Sequence, residues 1–79
     1  MVRIMTDLSS RTINTRINKF QIDGIRWGGS KRGSSDYIFD CRGQNLELLI
    51  ASKILSQREA EAIFDSGDTY FLLRMRSFK

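Results

Sequence analysis

Histidine and proline are both absent from the 79 residues, and there is one cysteine, Cys41. Without imidazole there is no Ser–His or Cys–His nucleophile pair, no ordinary neutral-pH general base and no usual ligand set for a transition metal. A lone thiol assembles no zinc site. It also forms no internal disulfide, which points to a reducing compartment. Long hydrophobic runs are missing too. No segment approaches the roughly 18 apolar residues of a membrane span, and the stretch Met1 to Leu8 has no apolar run of signal-peptide length. The expectation is a soluble cytoplasmic chain with no membrane partner.

Carboxylates are the remaining catalytic candidates. Asp36 and Asp40 share one side of an expected strand, roughly 13 Å apart by strand rise, too far for a dyad. Asp65 and Asp68 flank an expected helix end, where solvation or capping is the simpler role. No catalytic residue, cofactor site or metal site is therefore assigned, and the chain is expected to act by binding.

The composition, 41% hydrophobic and 28% charged, is that of a globular protein rather than a disordered one. At this length one domain, 1–79, is expected, near the lower size limit for a chain that folds unaided. The net charge is +4, and its placement is uneven. Residues 1–35 carry seven bases against Asp7 and Asp23. Residues 36–68 carry seven acids against Arg42, Lys53 and Arg58, and residues 69–79 add Arg74, Arg76 and Lys79. Such asymmetry bears on partners.

Along the chain, Val2, Ile4 and Leu8 suggest a short strand ending at Ser9-Ser10. Ile13, Thr15 and Ile17 alternate on odd positions, while Phe20 and Ile22 fall on even ones, which predicts a bulge near Asn18-Lys19. Asp23-Gly24 between two alternating runs reads as a type I′ hairpin turn, pairing Ile22 with Ile25, Gln21 with Arg26 and Phe20 with Trp27. Trp27 would then be core. Residues 28–35 form a polar glycine-rich connection. The next strand, 36–42, turns Tyr37, Phe39 and Cys41 to one face, Cys41 as a small buried hydrophobe.

Asn45 reads as the N-cap of a helix over about 45–55. Ser56-Gln-Arg-Glu59 matches the capping box and starts a second helix that buries Ala60, Ile63 and Phe64 and stops at Ser66-Gly67. The last strand, about 69–78, directs Phe71, Leu73 and Met75 one way and Tyr70, Leu72, Arg74 and Arg76 the other. The fold class is α+β: an antiparallel sheet of about four strands covered on one face by two consecutive helices. The basic ends are expected on the sheet and the acids on the helical side.

The segment from Gly28 to Ser35 fails the Walker spacing and leads into a strand, so no mononucleotide site is expected. A solvated loop is the simpler reading and a basic finger the functional one. The candidate partner-binding residues are Lys19, Arg26, Lys31, Arg32, Tyr70, Arg74 and Arg76. Arginines with a tyrosine on an open sheet face suit phosphates, carboxylates or stacked bases.

The leading expectation is a small non-enzymatic regulator or inhibitor that docks on a larger protein or nucleoprotein complex. Compact proteins of this sort are common among phage and mobile-element inhibitors of host nucleic-acid-processing complexes, the anti-CRISPR class among them, an association at the level of class alone. Direct nucleic-acid binding through the basic sheet face and the 28–35 loop is the alternative. A homodimer is a third, because small sheets leave edge strands for pairing.

Overall fold

The computed structural model describes residues 2–27 and 36–75, and of residues 25–27 the backbone alone. The elements run β1 (Val2–Thr6), α1 (Ser10–Phe20), β2 (Gly24–Trp27), β3 (Asp36–Asp40), α2 (Asn45–Ala51), α3 (Gln57–Ser66) and β4 (Tyr70–Met75). They form an α+β fold whose sheet has the order β1-β4-β3-β2. The sheet is mixed: β1 runs parallel to β4, while β4 pairs antiparallel with β3 and β3 with β2. The antiparallel expectation is corrected by α1, a crossover that carries the chain from one sheet edge to a strand of the same direction at the other. Parallel strands require such a connection.

Residues 10–20 are helical, not extended. Ser9 is the N-cap, its hydroxyl accepting from the Thr12 amide at 3.1 Å. Ile13, Ile17 and Phe20, spaced four and three apart, turn inward together, with Ile13 fully buried. The parity change that a strand meets only with a bulge is the normal course of a 3.6-residue period. Gln21 closes the helix in the left-handed region (φ 54°), and the Ile22 amide returns to the Ile17 carbonyl at 3.1 Å. That turn drops Ile22 into the core.

Asp23-Gly24 is accordingly no hairpin turn. Phe20 ends a helix, so the expected pairings of residues 20–22 with 25–27 do not form. Trp27 stands opposite Asp36 in the sheet register, and Gly24 opposite Phe39. Gly24 has another reason to be glycine: a Cβ there would lie 2.5 Å from Cδ1 of the Phe39 ring.

The inner face of the sheet is aromatic. Phe39 stacks between Tyr37 and Phe71, with ring centroids 5.9 and 5.4 Å away. The three join Leu73, Ile13, Leu49, Ile54, Leu55, Ala60 and Ile63 in one core. The Tyr37 hydroxyl donates to Asn14 Oδ1 at 2.9 Å and lies 3.0 Å from Ser10 Oγ, which fixes α1 across the sheet. All three helices thus share one face, where two were expected.

Strand ends have local causes. Thr6 Oγ1 accepts from the Leu8 amide at 3.1 Å and stops β1 before the expected Ser9-Ser10. Asp40 Oδ1 accepts from the Arg42 amide at 2.8 Å and stops β3 two residues early. Cys41, beyond that stop, is half-buried at the core margin rather than inside it.

The helix expected over 45–55 ends at Ala51, because Lys53 takes φ 65° and the Ser52 hydroxyl turns back to the Leu49 carbonyl at 3.0 Å. Nor is Asn45 its N-cap. Gln44 occupies that position without a side-chain bond, and Asn45 is buried as the first helical residue. Its Nδ2 donates to the Asp40 and Asp23 carbonyls at 2.6 and 2.9 Å, and its Oδ1 accepts from the Asp23 amide at 2.8 Å.

The capping box of α3 forms as the sequence predicts: the Glu59 amide donates to Ser56 Oγ at 3.1 Å and the Ser56 amide to Glu59 Oε1 at 2.9 Å. Gly67, at φ 75°, ends that helix. Phe64 departs from expectation. It is 76% exposed.

These contacts set the cost of three substitutions. Gly24→Ala forces the Phe39 ring to move and should destabilise by about 1–3 kcal/mol in urea unfolding, the usual range for overpacking. Asn45→Ala leaves buried backbone groups unsatisfied and should cost about 2–3 kcal/mol by the same measurement. Asn45→Asp should cost more than Asn45→Ala, since a second acceptor would then face the Asp23 and Asp40 carbonyls; an aspartate as stable as the asparagine would contradict that assignment.

Candidate partner-docking site

Of the predicted binding residues whose side chains are described, Lys19 stands apart from Tyr70 and Arg74. Lys19 is exposed in the last turn of α1, 6.0 Å from the Phe20 ring centroid, on the helical layer. Tyr70 and Arg74 lie on the open face of the sheet. Lys31, Arg32 and Arg76 fall outside the described residues, as does the 28–35 loop, and of Arg26 only the register opposite Tyr37 is described.

Among the described bases of the open sheet face, Arg3 is exposed and two others are paired with acids. Arg74 stands opposite Asp36 in register and bonds it through Nε and Nη2, both at 3.3 Å. That carboxylate, itself buried, holds the guanidinium even more firmly charged than usual. Arg42 forks onto Asp40, Nη2 to Oδ2 at 2.9 Å. The hydrogen bonds from the Arg42 side chain and backbone pull the Asp40 pKa below the usual carboxylate range. Arg42 also sits 5.8 Å from the Tyr70 ring centroid. Tyr70 and Met5 remain 44% and 50% exposed. Two of the bases on this face are thus already neutralised by neighbouring acids. The paired carboxylates considered as a dyad are these same two ion-pair partners.

The helical layer instead divides by charge. Arg11 and Lys19 are exposed on α1. Arg16 turns inward and donates through Nη1 to the Ser52 and Lys53 carbonyls at 3.1 and 3.3 Å, where the C-terminus of α2 is negative. Beyond it, α2 and α3 enclose an open groove of about 300 Å³. Its apolar lining is Leu46 and Ile50 from α2 and Ala60 from α3, with Phe64 at its edge. Its rim is acidic: Glu47 on one wall, Glu61 and Asp65 on the other. No base lines it among the described residues.

Helical periodicity explains the placement. Leu46 and Ile50 are one turn apart, as are Ala60 and Phe64 and, on the next stripe, Glu61 and Asp65. The sequence predicts Phe64 in the core together with Ala60, one turn before it, and Ile63. Ile63 and Ala60 fill the space over the sheet, and Phe64 is left at the edge of the groove.

Among the described residues no group of histidine, cysteine or carboxylate side chains is placed to hold a metal ion, and no helix is long and apolar enough to cross a membrane. Comparison with protein-family models, with curated proteins and with solved structures finds no match to this chain.

Cys41 lies away from the groove. Partial burial raises its thiol pKa, and the Asp40 and Asp68 carboxylates add to the effect. The folded thiol therefore keeps its proton to higher pH than a free one, and the nucleophilic thiolate is scarcer at neutrality. Iodoacetamide labelling near neutral pH should be slower than for a cysteine in an unstructured peptide. An equal or faster rate would show that this environment is misassigned.

Proposed function

We propose that the protein is a non-enzymatic regulator that docks on a basic surface of a macromolecular partner through the acidic face of α2 and α3. The observation that carries the reading is the combination at one groove of an exposed Phe64, an apolar floor and three acids, Glu47, Glu61 and Asp65. Burying a phenylalanine side chain is worth about 1.5–3 kcal/mol. The fold leaves that gain unrealised until something covers the ring. Apolar anchors surrounded by charge are the ordinary make-up of a protein interface, the anchor giving affinity and the charges steering encounter and partner choice.

A basic surface offered by a nucleic-acid-processing complex suits this face, since acids on a helical scaffold can occupy a groove that otherwise takes phosphates. That would make the protein an inhibitor of the complex, acting in the cytoplasm. Size and the absence of histidine favour binding over catalysis.

Direct nucleic-acid binding is the second reading, and the exposed Arg11 and Lys19 of α1 are what favour it. Of the bases that first suggested it, Arg74 is paired with Asp36. A homodimer through the open edges β1 and β2 is the third.

The test is capture of partners from the native host by the tagged protein, beside the charge-reversed variant Glu47→Lys/Glu61→Lys/Asp65→Lys and a nuclease-treated sample. A protein identified in the capture should survive nuclease, bind again when purified, and lose about 1–3 kcal/mol of affinity, roughly a 5- to 150-fold change, with the variant. Capture that disappears with nuclease would favour the second reading. Affinity indifferent to the three reversals would remove the first.

A further inference from the structure

We infer that the groove between α2 and α3 seats a basic amphipathic helix of a partner protein. The inference rests on the acidic-face reading above and narrows it to one kind of occupant. Two neighbouring helices present a furrow into which a third can lay a ridge of side chains. An apolar floor one helical turn long on each wall, Leu46 to Ile50 and Ala60 to Phe64, matches two anchors spaced i and i+3 or i+4 on the incoming helix. Acids stand on both walls, Glu47 on one and Glu61 and Asp65 on the other. The occupant therefore needs lysine or arginine on both flanks of its apolar stripe, not along one side only.

Other occupants fit less well. Nucleic acid would set phosphates against three carboxylates. A second copy's α1 carries bases, but Ile13, Ile17 and Phe20 are turned into its own core, which leaves that helix no apolar stripe to offer. A small ligand would meet a cavity at the lower end of the range for such sites, about 300–1,000 Å³, open on the side where Phe64 is exposed.

The experiment uses three labelled synthetic peptides of about 14 residues, long enough to reach partial helicity. One has leucines at helical spacing with lysines on both flanks. The second has the same composition scrambled, and the third is oligolysine. Binding is followed by fluorescence anisotropy and by amide chemical shifts of the full chain. The inference expects the amphipathic peptide to bind with shifts centred on residues 46–50 and 60–65. The scrambled peptide should be about tenfold weaker, a difference of about 1.4 kcal/mol. Phe64→Ala, which removes an exposed ring and leaves the core intact, should weaken the amphipathic peptide by a similar factor.

If all three peptides bind equally well at the same acids, the helix-specific inference fails while the acidic-face reading stands. The inference also fails if Phe64→Ala changes nothing. If no peptide binds, or the shifts fall on α1 or the open sheet face, both fail together.

Discussion

The buried amide of Asn45 ties the start of β2 and the end of β3 to the first turn of α2. At the start of β2 and the end of β3 the backbone leaves the sheet ladder, so the Asp23 amide, the Asp23 carbonyl and the Asp40 carbonyl have no strand partner there. One side chain with two donors and an acceptor satisfies all three. Buried backbone groups are almost always paired, and here the pairing also fixes where α2 begins. Seven residues make a helix too short to persist alone. Asn45 holds one end, and Arg16, bonded to the carbonyls of Ser52 and Lys53, holds the other. The position of α2 sets that of α3 through the short turn at 52–56, and hence the groove.

Local signals were legible in the sequence. Ser56 and Glu59 define the start of α3 through bonds that span three residues, and Gly67 defines its end by a backbone conformation that glycine accepts readily. The alternations Tyr37/Phe39 and Phe71/Leu73 are those of strands with one buried face. The segment 10–20 was not legible in the same way, because its residues satisfy two periods at once. Ile13, Thr15 and Ile17 alternate like a strand, and branched residues favour that reading. Ile13, Ile17 and Phe20 fit a helix equally well. Tertiary packing decides, through Tyr37 bonding to Asn14 and Ile13 entering the core. Ser9 before the run was the available hint, being a good N-cap.

Charge was misjudged for a related reason. Counted along the chain, bases at both ends and acids between suggest a basic sheet beneath acidic helices. The register undoes this, since it sets Arg74 opposite Asp36, while the turn after β3 folds Arg42 onto Asp40. Topology adds the rest: the first helix, which carries Arg11, Arg16 and Lys19, lies in the same layer as the acidic pair. The division between charges therefore runs within the helical layer. Strand order and register are long-range properties, and a linear count of residues contains neither.

The candidate site was illegible in one particular, the fate of Phe64. Helical spacing places it beside Ala60 and Ile63, and hydrophobicity sends all three inward. The sheet beneath is four strands wide, and its inner face is already filled by Tyr37, Phe39, Phe71 and Leu73 together with residues from all three helices. A ten-residue helix laid over so small a core has room to bury two residues of that stripe and no third. The remaining aromatic is left facing α2 across the groove, with Glu61 and Asp65 beside it by the same period. Pattern alone cannot separate a core phenylalanine from a docking one. The difference lies in how much core there is to fill, and here the core closes before Phe64 is reached.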